Sequence, residues 1–435
     1  EGTSFDLAIA LGILSACGKL DRERLEEYVI LGEVSLDGAI RPVKGILPIA
    51  MLMRELKKKK IILPEGNARE AGLIADIDIY PVKTLKAAAL FINDPDVMVP
   101  FKTELKEVFM DRRAAEIDFS DVKGQQCAKR ALEVAAAGGH NVLMIGPPGN
   151  GKSMLAKRIT TIIPDMSLDE ALEITRVHSV AGIAPLNEGL VTQRPFRQVH
   201  HTVSAPALVG GGALLKPGEI TLSHHGVLFM DELPEFHRDC LEALRQPLED
   251  GYIRISRMSG SMVFPSSFML VAAMNPCPCG YYSDPQRACR CNPNKIQSYM
   301  NKISGPLLDR IDIHIDIPSI KYQELSGSNS GESSLAIRAR VEKARAMQRE
   351  RLKEEGIFYN AQMSSRLIRK YCLLDQGAVE LLKMAMSELG FSARAYDKIL
   401  KAARTIADLA GSEAILEEHI SEAVQYRSLD RSFIV

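Results

Sequence analysis

The chain has 435 residues, with 54 lysines and arginines against 55 aspartates and glutamates, and 46% of its residues are hydrophobic. That length is ample for buried cores and suggests roughly three domains, while the near balance of charge excludes a protein whose whole surface coats a polyanion and leaves local basic patches open. No apolar run approaches the roughly 20 residues of a bilayer span, and no signal peptide precedes the first helix-like segment, so a soluble cytoplasmic protein with no membrane partner is expected.

The chain enters directly into the apolar segment Phe5 to Leu14, as a truncated start would. A first helix is predicted to about Cys17 and a second near Leu25, then a strand from Val29 to Leu36 leading into the turn Asp37-Gly38. Ile40 to Val43, a helix through Met51-Leu52-Met53 and the short strand Ile61-Ile62-Leu63, closed by Pro64, complete a mixed α/β domain over residues 1–100. A charge-rich linker is expected over 101–117. Four cysteines, Cys17, Cys127, Cys240 and Cys372, are scattered singly, which fits reduced thiols better than a disulfide framework.

The apolar run Asn141 to Ile145 is followed by Gly146-Pro147-Pro148-Gly149-Asn150-Gly151-Lys152-Ser153-Met154, a strand, a phosphate-binding loop and a helix start. Glycines let backbone N–H groups turn inward on a triphosphate, the new helix directs its positive end at the same anion, Lys152 neutralises the outer phosphates and the Ser153 hydroxyl can ligate Mg2+. Gly226 to Glu232 then reads as a buried parallel strand ending in two carboxylates, Asp231 to hold the metal and Glu232 to polarise water. Phosphate loop and positioned base together predict hydrolysis of ATP or a close relative. Phe268 to Met274 and Ile311 to Ile317 are the remaining predicted strands of a parallel nucleotide-binding sheet with helices between them, spanning 118–320.

Cys277, Cys279, Cys289 and Cys291 form two close Cys-x-Cys pairs, which point to a closed structural zinc site or to unligated, redox-active thiols. The Ser- and Gly-rich stretch within 321–334 is expected as a flexible tether. An amphipathic helix from Leu335 to Glu355 opens a helical domain over 335–435, in which Val379, Leu381, Leu382, Ile399, Leu400, Ile415 and Leu416 carry the apolar pattern.

Taken with Asn275 at a strand end, the segment Gly305-Pro306-Leu307-Leu308-Asp309-Arg310, and Ser392-Ala393-Arg394, these motifs resemble the magnesium-chelatase-like AAA+ ATPases of the ComM/YifB family. The resemblance covers the whole chain and implies three parts: a Lon-protease-like α/β domain of ribosomal S5-like fold, a P-loop AAA+ core and an α-helical lid. It implies that Asn275 orients the attacking water, with a turn-capping Asn before Pro276 as the alternative. Arg310 resembles the arginine finger that acts on a neighbouring subunit's γ-phosphate, with an ion pair to Asp309 or Asp312 as its rival, and an active ring, a hexamer, follows if it acts in trans. Arg394 resembles the sensor arginine of the lid, expected to reach the phosphates in cis. Val122 and Gly124, in a segment that closes over adenine, are the expected base contacts, although a helix cap at Ser120 or Asp121 would look similar.

Residues 251–265 resemble a pre-sensor hairpin, where Arg254 and Arg257 either meet DNA phosphates in a ring pore or stand as exposed edge charges. Residues 194–215, with Arg197, His200, His201 and the glycines 210–212, resemble a pore-directed helix-2 insert, and no metal role is expected of the adjacent histidines. The resemblance thus implies an ATP- and Mg2+-dependent DNA motor that promotes branch migration in DNA uptake or repair; the alternative is a chelatase-type motor that remodels a protein partner. Glu1-Gly2-Thr3-Ser4 fits the nucleophile turn of Lon-type proteases, yet the lysine position falls at Leu47, with Lys44 one turn earlier. The first domain is therefore expected to be inactive and Ser4 to cap the first helix.

Overall fold

The computed structural model describes residues 3–74, 76–102, 117–183, 190–212, 215–257, 260–282, 284–319 and 331–427. Most of the two expected linkers, and Glu1, Gly2, Met258 and Ser259, lie outside the described residues. The chain divides into two compact units, residues 1–113 with 166–193, and residues 114–165 with 194–435.

In the first unit, β1 (Tyr28–Ile30), β4 (Lys60–Pro64) and β5 (Asp78–Val82) form a parallel sheet in the order β1-β4-β5. Strand residues alternate between its faces. Ile61, Leu63 and Ile79 pack with Ile46, Leu47 and Ala50 of the helix Ile46–Glu55, while Ile62, Tyr80 and Val82 pack with Leu7, Leu11, Phe91 and Ile92 of two other helices. The predicted strand from Val29 to Leu36 is split. Its first half pairs in parallel with β4, and its second half, β2 (Glu33–Val34), turns to pair antiparallel with β3 (Ile40–Arg41), because the Gly32 N–H is taken by the Ser4 carbonyl at 2.9 Å.

The helix Leu168–Ala181, which follows the phosphate-loop helix in sequence, belongs to this first unit. Ala171 and Ile174 enter its core, and the nearly buried Glu70 carboxylate accepts both the Ser179 hydroxyl and the Leu47 N–H at the start of the helix Ile46–Glu55.

The second unit carries β6 (Val142–Ile145), β7 (Phe196–Val199), β10 (Val227–Met230), β13 (Met269–Met274) and β14 (Ile313–Asp316) as a five-stranded parallel sheet, ordered β14-β6-β13-β10-β7. The strands β6, β10 and β13 are buried throughout, as the continuous apolar runs require of a parallel sheet covered on both faces. Val142, Met144, Phe229 and Val271 face the helices Gln126–Gly138 and Lys152–Ile162, whereas Leu143, Leu228, Met230 and Leu270 face Leu241, Leu244 and Tyr299 on the other side. Each such buried aliphatic side chain contributes about 1.5–3 kcal/mol.

One sequence expectation fails here. Residues 194–215 are not all insert, since Phe196–Val199 is the edge strand of the nucleotide-binding sheet and Arg197 pairs with Glu219 at 2.6 Å. An edge strand is only half buried, so its residues do not stand out as an apolar run. The rest of that stretch holds the helix Ala205–Val209 and β8 (Gly210–Gly211), which pairs with β9 (Lys216–Pro217) in a small ribbon.

The helical lid comprises Ser334–Leu352, Ser365–Tyr371, Gln376–Leu389, Ala393–Ala410 and Glu417–Gln425. Ile337, Val341, Ala344 and Leu352 of its first helix bury against the sheet's helical layer at helical spacing. Inside it, Asp408 accepts from Arg351 at 3.0 Å, Arg404 at 3.1 Å and Asn360 at 2.8 Å, so this buried carboxylate is fully engaged. Among the described residues no helix is long and apolar enough to cross a membrane.

Candidate nucleotide-binding site

The strand β6 delivers the chain to Gly146, where a Cβ would stand 2.3 Å from the Ile317 carbonyl, so only glycine lets the loop leave the sheet there. Gly149 and Gly151, at φ 83° and 76°, supply the left-handed turns that aim the loop amides inward before the helix Lys152–Ile162 begins. Asn150 braces the loop by donating to the Ile317 carbonyl at 3.1 Å.

Lys152 is 8% exposed and folds back, donating to the carbonyls of Gly146 at 2.7 Å and Pro147 at 2.8 Å and to Asn275 Oδ1 at 3.2 Å. Burial pushes its ammonium down to about 8, against the pull of Asp231 and Glu232. The next residue, Ser153, donates to Asp231 Oδ2 at 2.6 Å, which brings together the two oxygen ligands expected of a Mg2+ site.

Glu232 follows at φ 54°, a conformation that non-glycine residues rarely adopt, and its carboxylate lies 3.2 Å from His201 Nδ1. From sequence no metal role is expected of His201; its position beyond β7 places it beside Glu232, a proximity between distant segments that no local pattern encodes. Asn275 directly follows β13 with its side chain on Lys152, and its backbone N–H donates to the buried Tyr299 hydroxyl. The sheet therefore collects Lys152, Ser153, Asp231, Glu232 and Asn275 at its C-terminal edge, where open α/β sheets bind ligands.

In the segment expected over adenine, Asp118 caps a turn at Phe119–Asp121. The Val122 side chain is fully buried in the core, and its carbonyl accepts from Lys129 Nζ. Gly124 and Gln125, at φ 64° and 54°, reverse the chain, and Gln125 reaches the Asn150 carbonyl at 2.7 Å. Met154 packs half-buried on the core beneath the loop.

Arg310 and Arg394 lie elsewhere. Asn141, just before β6, donates to the Arg310 carbonyl at 3.1 Å, which puts Arg310 at the N-terminal edge of the sheet, roughly 13 Å of strand away from the loop. Its guanidinium pairs with Glu249, not with Asp309 or Asp312, and donates to the carbonyls of Arg245 at 3.1 Å and Pro306 at 2.6 Å. Arg394 donates to Asp309 at 3.2 Å and is 66% exposed. Both line one cavity of about 690 Å³ with Lys398 and Lys401. Arg394, expected from the resemblance to reach its own subunit's phosphates, is thus set by the lid beside Asp309 and Arg310.

The hairpin β11 (Tyr252–Arg257) with β12 (Gly260–Pro265) buries Ile253 and Ile255 and turns Arg254 to solvent, opposite Val263. Arg257 ends β11, and its side chain lies outside the described residues. Ile255 rests on Gly210, so the hairpin packs against the ribbon of β8 and β9. The four clustered cysteines are free thiols whose sulfurs all lie within 4.8 Å of one another. In the first unit, Ser4 does not cap the first helix; it sits in a 3-10 turn, and Phe5 occupies the cap without a side-chain bond. Leu47, at the expected lysine position, is fully buried, and the Lys44 side chain lies against Gly182.

Residues 118–325 match the family described as magnesium chelatase, subunit ChlI, residues 331–427 match its C-terminal counterpart, and residues 1–67 match subunit ChlI of Mg-chelatase. Competence protein ComM of Haemophilus influenzae is 44% identical over 434 residues, 99% of this chain and 84% of its own length. The chain belongs to the magnesium-chelatase-like AAA+ family of ComM and YifB. Within that ComM/YifB family, the uncharacterized protein YifB of Escherichia coli (strain K12) is 42% identical over 437 residues, again 84% of its length. A shorter likeness, 32% over 111 residues and 25% of this chain, is to Lon protease 2 of Bacillus subtilis, as the Lon-like part of the ComM/YifB architecture implies.

Proposed function

We propose that this chain is one subunit of an ATP-driven ring, a hexamer, that moves on DNA and promotes branch migration of recombination intermediates in DNA uptake or repair. The observation that carries the proposal is the division of charged groups between the two edges of one sheet. Lys152, Ser153, Asp231, Glu232 and Asn275 stand at one edge, and Arg310 and Arg394 at the other, so a complete centre needs two subunits.

In this reading Lys152 leaves its carbonyl partners for the phosphates, and Ser153 and Asp231 would hold Mg2+, which when bound would neutralise charge developing on the phosphates. Glu232 withdraws the proton of the attacking water, which Asn275 orients. Arg310 and Arg394 of the adjacent subunit replace their internal carboxylate partners with the γ-phosphate. The projecting Arg254, with Arg257, takes DNA phosphates in the pore. The relative ComM is named a competence protein, which supports DNA as the track. The same chemistry would serve a chelatase-type motor acting on a protein, the reading favoured by the magnesium chelatase family descriptions.

ATP turnover with and without single-stranded or four-way-junction DNA, at fixed salt, separates the two. DNA stimulation that is absent in Glu232→Gln supports the motor on DNA. Turnover indifferent to DNA supports the protein-remodelling motor, and equal turnover in Glu232→Gln removes the assigned base.

A further inference from the structure

Four cysteines that no step above uses converge beside the phosphate loop. Cys277 Sγ lies 3.3 Å from Cys279 Sγ and 3.7 Å from Cys289 Sγ, and the latter two are 3.5 Å apart. A zinc ion with Zn–S bonds of about 2.3 Å sets tetrahedral sulfurs roughly 3.8 Å from one another. The spacing thus suits one ion. It is too long for a disulfide, which needs about 2.05 Å between sulfurs. Backbone N–H groups of Tyr281 and Arg290 point at Cys279 Sγ, and that of Cys291 donates to Cys289 Sγ at 3.4 Å, an outer layer that orients sulfur ligands. Cys277 is fully buried, so the site is anchored on its inner side.

The position of this loop matters as much as its chemistry. It begins directly after Asn275, the residue that follows β13 and whose side chain holds Lys152. At Gly280, φ 85°, a Cβ would stand 2.6 Å from Pro148 Cδ, so the loop backbone lies flat against the phosphate loop. Further on, Asp284 accepts from Ser319 at 2.7 Å, close to the Ile317 carbonyl that Asn150 holds. One loop therefore touches the phosphate loop, the residue facing Lys152, and the strand end that supports both.

We propose that Cys277, Cys279, Cys289 and Cys291 hold one structural zinc ion, and that the resulting knuckle braces the phosphate-binding loop so that metal occupancy sets nucleotide affinity. The proposal rests on the reading of Gly146 to Ser153 as the nucleotide site. Each thiol releases its proton to solvent as its sulfur binds the ion, and no oxidant or reductant is needed. The coordination is closed by four protein ligands, so the role is structural.

The full chain, purified without added chelator, is expected to carry about one zinc per chain, measured by mass spectrometry of the metal and by release with a thiol-blocking reagent. Cobalt in its place should give the intense visible bands of a tetrahedral thiolate site. Cys289→Ser with Cys291→Ser should lose the metal, and Cys17→Ser should keep it. Titration with a fluorescent ATP analogue should show affinity about 10-fold weaker after metal removal and restored on reloading with zinc. Gly280→Ala, which keeps all four thiols, should retain zinc yet also bind the analogue more weakly, and this holds the test open if the cysteine variants fail to fold.

Absence of both stoichiometric zinc and the cobalt bands would overturn the site. Zinc that can be removed without changing affinity, together with normal affinity in Gly280→Ala, would overturn the brace. A zinc-loaded protein that never binds the analogue would instead refute the nucleotide site and leave the metal centre standing.

Discussion

Lys152 offers the sharpest test of the proposed site, because its environment makes nucleotide binding depend on pH. In the free protein, burial brings its ammonium down to about 8. Phosphate oxygens would favour the charged form, so the group's affinity is raised by ligand and the contribution is full below about 8 and lost above it. The protonated fraction falls from about nine-tenths at about pH 7 to about one-tenth at about pH 9, so the apparent affinity should fall about 10-fold, or about 1.4 kcal/mol. Fluorescence titration with an ATP analogue across that range would measure it. Calorimetry in two buffers of different ionisation heat would count the proton taken up. Lys152→Ala should bind weakly with no slope in this window. A flat profile in the native protein, or the same slope in Lys152→Ala, would refute the argument.

Arg310→Ala should leave nucleotide binding intact and lower turnover by about 10³-fold or more, as expected of an arginine supplied in trans. Mixing it with Lys152→Ala subunits should restore part of the activity, and no recovery would argue for action within one subunit. Arg254→Ala should weaken DNA binding at low salt and shallow the salt dependence by about one phosphate contact, in filter binding or anisotropy; an unchanged slope removes Arg254 from the track. Asp408→Ala should destabilise the lid by about 3–5 kcal/mol, because Arg351 and Arg404 lose their shared carboxylate, and urea unfolding would show it as a lower midpoint. A shift under about 1 kcal/mol would mean that water replaces the carboxylate.

The order of strand, glycine-rich loop, acidic strand end and Asn-bearing strand was legible because each piece is local. Apolar runs as short as Val142–Ile145 and Val227–Met230 stand out, since a strand buried on both faces needs no polar alternation, and the loop chemistry demands particular residues at fixed spacing. The lid helices were legible for the same reason, through apolar spacing.

What the chain alone could not disclose are relations between segments far apart in sequence. The edge strand Phe196–Val199 was read as insert, because half-burial leaves it without an apolar signature. Its identification depends on the partner β10. His201 reaches Glu232, and Gly280 reaches Pro148, only because parallel strands bring their C-terminal ends to one edge. Likewise the Ser-Ala-Arg motif suggested a phosphate contact, but which subunit's phosphate depends on where the lid docks, and docking is decided by the burial of its whole apolar face. Residue identity supplied the chemistry of this protein; packing of the sheet and lid decided which of those residues share a centre, since hydrophobic burial acts on faces and leaves the few polar groups to meet where the faces put them.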